Sequence, residues 1–118
     1  MNKSEKEYKV VIQLSGNDLK LQKATIGQVN NILKALENIN IEVVTHSHGI
    51  EMLFNDSILK NNLEQLHQKG VAFLVCQNAM TAQNIEKDSL LPFARVIPSA
   101  VAHLIVRQSE GWSYLRMS

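Results

Sequence analysis

The sequence has one cysteine, few aromatic residues and no long apolar run, and each shortage excludes a class of protein. Cys76 is alone, so the chain forms no internal disulfide and holds no CxxC pair of the thioredoxin type. The longest apolar run is far shorter than the roughly 20 residues that span a bilayer. The charged opening MNKSEKEYK has no apolar signal core behind it. We therefore expect no membrane partner and a cytoplasmic protein whose thiol stays reduced.

The charge balance argues against nucleic acid as a partner. Lys and Arg number 12 against 11 Asp and Glu, the net charge is +1, and aromatic residues make up 5%. No basic stripe is present to contact a phosphate backbone. The first predicted strand leads into SGNDLKLQKAT, which is neither a dinucleotide fingerprint nor a P-loop. We predict no nucleic-acid partner and no cofactor.

Strand-like and helix-like segments alternate along the chain, which predicts parallel strands joined by right-handed crossovers with helices on both faces. The length suits one domain. We predict a frayed stretch over residues 1–7 and, over residues 8–118, a single three-layer α/β/α domain with a mainly parallel sheet. The predicted strands cover residues 8–14, 41–46, 71–76, 93–97 and 112–115, and helices are expected over about 19–38, 57–69 and 99–110.

The stretch VAFLVCQNAM, from Val71 to Met80, organises the candidate site. Its unbroken apolar run predicts a strand buried on both faces, with Cys76 at its carboxyl end. Ligands collect at that edge of open α/β sheets, and the unpaired N–H groups of a following helix would favour a thiolate. Two interpretations stay open. Cys76 is either a reactive thiol or a buried cysteine that packs as a small hydrophobe.

His46 ends the second predicted strand and so faces the same edge. It can stabilise a thiolate or shuttle a proton, and the alternative is a structural hydrogen bond in the loop. His46 and His48, with Cys76, also have the spacing of a three-ligand zinc set. No second ligand cluster supports that set, so we predict no metal.

The last predicted helix has Val101, Leu104 and Ile105 as its expected apolar face. We expect His103 to face solvent or a subunit contact. Trp112 and Tyr114 alternate in the final strand and either anchor a subunit interface or cover the edge of the sheet.

Four stretches resemble the DsrE/DsrF-like family, namely HSHGI, GVAFLVCQNAM, SLLPFARVIPSAVAHLI and RQSEGWSYLR. The resemblance extends from Tyr8 to Arg116 and is densest from Gly70 onward. Its most specific part is an ordered set of residues: Cys76, Asn78, Met80, Pro98, Gln108, Gly111 and Tyr114. It implies a five-stranded parallel sheet assembled as a trimer or hexamer, in a family linked to sulfur oxidation and sulfur relay.

The resemblance also implies roles for individual residues. In sulfur-relay members the cysteine after the third strand carries sulfane sulfur as a persulfide, and Cys76 occupies that place. His46 and Gly49 match the family's His and Gly after the second strand. The sequence departs from the family at His48, where proline is common, and at Ala79 and Ala100, where threonine and glycine are frequent.

We therefore predict a sulfur-relay protein that passes sulfur from a donor protein to a partner thiol. Whether it acts as a sulfurtransferase or only as a sulfur carrier stays open. The catalytic candidates are Cys76 and His46, and the ligand-binding candidates are Asn78, Gly49, Gln77 and Met80. Further copies of the chain are the other expected partners. The alternative is a non-catalytic oligomeric binding or scaffold module of the same fold.

Overall fold

Five parallel strands form one sheet in the computed structural model, which describes residues 6–118. The elements are β1 (Tyr8–Leu14), α1 (Leu19–Ala35), β2 (Ile39–Thr45), α2 (Lys60–Gln68), β3 (Ala72–Cys76), α3 (Gln77–Gln83), β4 (Arg95–Ile97), α4 (Ala100–Ser109) and β5 (Ser113–Arg116). Short 3-10 helices cover Ser47–Leu53 and Lys87–Ser89. The five predicted strands are confirmed, with ends that shift by no more than two residues. Of the stretch predicted to fray, residues 1–5 lie outside the described residues.

The strand order is β4-β3-β2-β1-β5, and every neighbouring pair is parallel. The chain steps in one direction from β1 to β4 and then returns across the sheet to β5. Because parallel crossovers are right-handed, α1, α2 and α3 lie on one face and α4 lies on the other. This arrangement confirms the predicted three-layer α/β/α domain.

The three inner strands, β1, β2 and β3, supply most of the sheet core. Val43, Val44, Leu74 and Val75 have no exposed surface. Strands covered on both faces have almost continuous apolar sequences, which is why β3 could be predicted from the sequence. The one hydroxyl at the end of β2 is also accommodated, since Thr45 Oγ1 donates to the carbonyl oxygen of Leu74 at 2.8 Å.

Helix α1 is shorter than predicted. It begins after Asp18, whose carboxylate accepts the N–H of Lys20 at 2.8 Å. It ends at Ala35 rather than at Asn38, because Leu36 turns to an extended conformation and Asn38 takes a φ of 52°. Asparagine tolerates that left-handed region better than most residues, so it closes the turn into β2.

The inner face of α4 differs from the prediction. Val101 and Ile105 are 61% and 64% exposed, while Leu104 is buried. His103 and Arg107 turn inward instead, and both bind the carboxylate of Glu42, which stands in the middle of β2. The expectation that His103 faces solvent is therefore wrong, since its side chain is 17% exposed, while a subunit contact there stays a prediction. A buried acid on the sheet determines which side of the helix faces inward.

Within residues 6–118, no helix is both long enough and apolar enough to cross a bilayer.

Candidate functional site

The thiol of Cys76 lies at the carboxyl edge of the sheet, where β3 ends. Cys76 pairs with Ile97 at the end of β4, so the loop after β4 returns α4 to the same place. Sγ accepts the N–H of Ala100 at 3.3 Å, and Cys76 is 6% exposed. Ala100 is the first residue of α4, and its N–H is one of the donors that a helix start leaves unpaired. The sulfur therefore has a donor aimed at it.

A pocket of about 440 Å³ opens beside this sulfur. Its walls come from the loop after β2, from α3 and from the start of α4. The lining residues are His46, Ser47, His48, Cys76, Asn78, Ala79, Ala82, Gln83, Ser99, Ala100 and Val101. They include no Lys, Arg, Asp or Glu side chain. A negative charge formed in the pocket would therefore meet histidine rings and hydrogen-bond donors, with no Lys or Arg side chain among the lining residues.

The imidazole of His46 is held from behind by β1 and β5. Its Nε2 lies 2.8 Å from Nε2 of Gln13, and Oε1 of Gln13 accepts the hydroxyl of Tyr114. Burial lowers the pKa of His46 below its ordinary value of 6.5, and the positive charge of Arg116 lowers it further. His46 is therefore neutral at neutral pH.

Replacing Arg116 with glutamine is expected to raise the pKa of His46, while leaving it below 6.5 because the burial stays. Titration of the imidazole C–H signals by proton NMR measures this. In the wild type, the unfolded chain binds more protons than the folded chain as the pH falls below 6.5, so His46 lowers stability there. Arg95→Gln is the control, since Arg95 lies beside Glu42 instead. An Arg116→Gln titration identical to that of the wild type would contradict the prediction.

Of the four ligand-binding candidates, only Asn78 lines the pocket. Gln77 is exposed and donates to Thr81 Oγ1 at 3.2 Å on the outside of α3. Met80 is 2% exposed and packs in the hydrophobic core. Neither residue lines the pocket beside Cys76, although α3 starts immediately after that cysteine. The structure does not bring Gln77 or Met80 into the site.

Gly49 also lies away from the pocket walls, and it is required for backbone packing. A Cβ built on Gly49 would lie 2.3 Å from the carbonyl oxygen of Leu14 and 3.1 Å from the Cα of Ser15. The glycine lets the 3-10 helix after β2 press against the end of β1. It therefore supports the wall that carries His46 and does not itself contact a ligand.

Replacing Gly49 with alanine is expected to lower the free energy of unfolding by about 1–3 kcal/mol, the usual cost of overpacking against rigid neighbours. Urea denaturation measures the loss. Gly27→Ala is the matched control, because a Cβ there meets nothing within 4 Å. Gly27 lies inside α1, so its replacement is expected to stabilise by about 0.5–1 kcal/mol. A Gly49→Ala protein as stable as the wild type would show that the backbone contact is relaxed.

The three-ligand zinc set does not form. Among residues 6–118, no group of three or more His, Cys, Asp or Glu side chains is arranged to hold a metal ion. His48 lies 3.5 Å from Glu51 on the exposed side of its loop, and Nε2 of His46 is engaged by Gln13.

Three residues that surround the site were not predicted to act in it. Ala100 supplies the N–H on sulfur, whereas that donor was expected from the helix directly after β3. Gln13 and Arg116 act on His46 from the ends of β1 and β5. A polar residue near the end of a buried strand, such as Gln13, can indicate a site position from sequence. Its partner can be identified only when the strand order is known.

The comparisons with known proteins agree with this geometry. Residues 9–117 match the DsrE/DsrF-like family. The protein of unknown function MTH1491 from Methanobacterium thermoautotrophicum is similar over 93% of this chain and 99% of its own, with 35% identity and a TM-score of 0.91. The ychN protein from E. coli shares the fold alone, at 14% identity over 92% of this chain and 98% of its own, with a TM-score of 0.68. No curated protein matches the chain.

Fold and site together define a small α/β/α protein with one cysteine at the carboxyl end of the third parallel strand. The chain belongs to the DsrE/DsrF-like family.

Proposed function

We propose that this protein carries sulfane sulfur as a persulfide on Cys76 and passes it to the thiol of a partner. The observation that carries the proposal is the setting of the sulfur atom. Cys76 lines a pocket of about 440 Å³, and its Sγ accepts the N–H of Ala100 at 3.3 Å. The thiolate is the nucleophilic form of cysteine, and the same N–H can donate a hydrogen bond to it. Membership of the DsrE/DsrF-like family suggests a function of the sulfur-relay type and supports the same proposal.

The transfer consists of two thiol exchanges and needs no oxidant. In the first, the Cys76 thiolate attacks the outer sulfur of a donor persulfide, R–S–SH. A new S–S bond forms at Cys76, the S–S bond of the donor breaks, and RS⁻ leaves and takes up the proton that Cys76 released. In the second, the thiolate of the acceptor attacks the outer sulfur of Cys76–S–SH, and Cys76 returns as a thiolate. One cysteine is enough because the second thiol belongs to the partner.

The lining of the pocket suits this chemistry. Asn78 and His46 both line it, and each can donate a hydrogen bond to an anionic sulfur without bringing a formal charge. The sulfur donor and the sulfur acceptor are partner proteins, or small thiol compounds that partner proteins deliver. A cytoplasmic location is part of the proposal, since the thiol must stay reduced between transfers.

Intact-mass spectrometry tests the proposal directly. After treatment with a small alkyl persulfide and removal of the excess, the wild-type chain is expected to gain about one sulfur atom. Cys76→Ser is expected to gain none, and an excess of acceptor thiol should return the wild-type mass to its starting value. A wild-type mass that does not change while the persulfide reagent is still active would contradict the proposal.

The second candidate is a non-catalytic oligomeric binding or scaffold module, and the burial of Cys76 favours it. Such a module would react slowly with iodoacetamide, and its Cys76→Ser variant would keep every binding property. Fast alkylation, together with sulfur transfer that depends on Cys76, supports the relay and excludes this candidate.

We also propose that the protein assembles with copies of itself through the outer face of α4. Val101, Ile105 and Val106 are 61%, 64% and 50% exposed, and Ala102 beside them is exposed as well. A helix face without charged groups is unusual on the surface of a monomer and suits a partner that presents the same apolar surface. Val101 also lines the Cys76 pocket, so this interface would border the site.

A further inference from the structure

His46 reaches the pocket with one ring nitrogen already occupied. Its Nε2 lies 2.8 Å from the amide nitrogen of Gln13, which has hydrogens to donate and no lone pair to offer. The other end of that amide, Oε1, accepts the hydroxyl of Tyr114. The amide is therefore fixed at both ends. A neutral imidazole that accepts at Nε2 carries its proton on Nδ1.

The Nδ1 atom is open to solvent. Within the part of the chain that the structure describes, no side-chain nitrogen or oxygen is both buried and without a hydrogen-bond partner. The hydrogen bonds of the described residues leave Nδ1 of His46 without one, since the ring bonds only through Nε2. Nδ1 must therefore be exposed, and His46 is one of the residues that line the Cys76 pocket.

A persulfide in this pocket has two sulfur atoms, and the N–H of Ala100 serves the inner one. The N–H of Ala100 is directed at Sγ of Cys76. The outer sulfur carries the negative charge once the persulfide ionises, and no Lys or Arg lines the pocket. An anionic sulfur with no Lys or Arg beside it is stabilised by hydrogen-bond donors instead.

We infer that the Nδ1–H of His46 is the hydrogen-bond donor to the outer sulfur of the Cys76 persulfide, and that Gln13 and Tyr114 are positioning residues that hold the ring in this tautomer. The inference rests on the proposed function and extends it. It gives His46 the role of a neutral donor and excludes the role of a base, because the lone pair of the ring is engaged by Gln13. It also gives β1 and β5 a part in the site.

NMR of protein with nitrogen-15 histidine tests the tautomer without any sulfur chemistry. At alkaline pH the long-range spectrum of the wild type is expected to show a protonated Nδ1 and an unprotonated Nε2 for His46. Tyr114→Phe removes the hydroxyl that orients Gln13, so the amide can turn over and the Nε2–H form should appear. Tyr8→Phe alters the other tyrosine of the chain and should leave the spectrum of His46 unchanged. A wild-type ring protonated on Nε2 overturns the inference.

Sulfur uptake by His46 variants tests the role of the donor. The amide nitrogen of asparagine can take the place of Nδ1, whereas alanine offers no donor. His46→Ala is expected to form the Cys76 persulfide about 10- to 100-fold more slowly, the effect of losing one hydrogen bond to a charged acceptor. His46→Asn is expected to recover most of that rate. An Asn variant as slow as the Ala variant, or an Ala variant as fast as the wild type, overturns the inference.

The two measurements distinguish a failure of the proposed function from a failure of the inference. A wild-type chain that takes up no sulfur while His46 shows Nδ1–H defeats the proposed function and, with it, the donor role. A wild-type chain that takes up sulfur while His46 shows Nε2–H defeats only the inference.

Discussion

Replacing Arg107 with methionine is expected to lower the free energy of unfolding by about 3–5 kcal/mol at neutral pH. Arg107 makes two hydrogen bonds to Glu42, from Nε to Oε1 at 3.0 Å and from Nη2 to Oε2 at 2.7 Å. The side chain of Glu42 is 6% exposed. Without the guanidinium, a nearly buried carboxylate would lose its main partner, and only His103 would hold it at close range, at 2.7 Å.

The pH dependence of this loss has a definite sign. Burial raises the pKa of Glu42, but the hydrogen bonds and charges of Arg107 and His103 outweigh it, so the net pKa lies below 4.5. Glu42 therefore stabilises the wild type above that pH, and its contribution is lost as the pH falls through the folded value. In Arg107→Met the lowering of the Glu42 pKa by Arg107 is lost, so the carboxyl protonates more easily than in the wild type. The difference in stability between variant and wild type is therefore expected to shrink in acid.

Arg95→Met is the matched control. Arg95 also approaches Glu42, but at 3.9 Å and with 63% of its side chain exposed. An exposed ion pair contributes about 0–1 kcal/mol, so this variant should unfold close to the wild type. Urea denaturation of both variants across a pH series measures the effect. Equal losses for Arg95→Met and Arg107→Met would show that the bidentate contact is not the stabilising one.

Replacing Ile105 with glutamate is expected to convert the assembled protein to monomers. The proposed interface would bury this side chain, and an unpaired carboxylate taken out of water costs several kcal/mol, which exceeds what an interface of moderate size can offset. Ile105 is 64% exposed in the single chain, so the folded monomer should tolerate the change. Light scattering coupled to size exclusion measures the mass of each form.

Ile58→Glu is the control for that experiment. Ile58 is 75% exposed and precedes α2, which lies on the opposite face of the sheet from α4. The two variants introduce the same charge at exposed isoleucines on different faces. If Ile58→Glu dissociates the assembly and Ile105→Glu does not, the interface lies on the other face. A wild type that is monomeric at all accessible concentrations defeats the assembly proposal itself.

The Cys76 edge of the site could be predicted because it depends on local pattern and on one topological rule. The sequence shows where the strand before Cys76 ends and where the strand beside His46 ends. Parallel strands bring their carboxyl ends to one edge. Gln77 and Met80 were predicted to bind a ligand, but neither lines the pocket. The orientation of a side chain on α3 depends on the residue at which the helix begins, which the sequence pattern did not locate. A shift of that start by two residues rotates each side chain by roughly 200°.

The strands, their alternation with helices and the edge at which the cysteine stands could all be predicted from the residues. These follow from hydrophobic period and turn chemistry, which act between residues close in the chain, while the family was indicated by the resemblance of four stretches. What surrounds the sulfur, and which side chains α4 turns inward, became known only from the folded chain. Glu42 meets His103 and Arg107 across 61 and 65 residues, and Tyr114 meets Gln13 across 101. Such pairs depend on the strand order and on the side of the sheet that each helix covers, which no local pattern records.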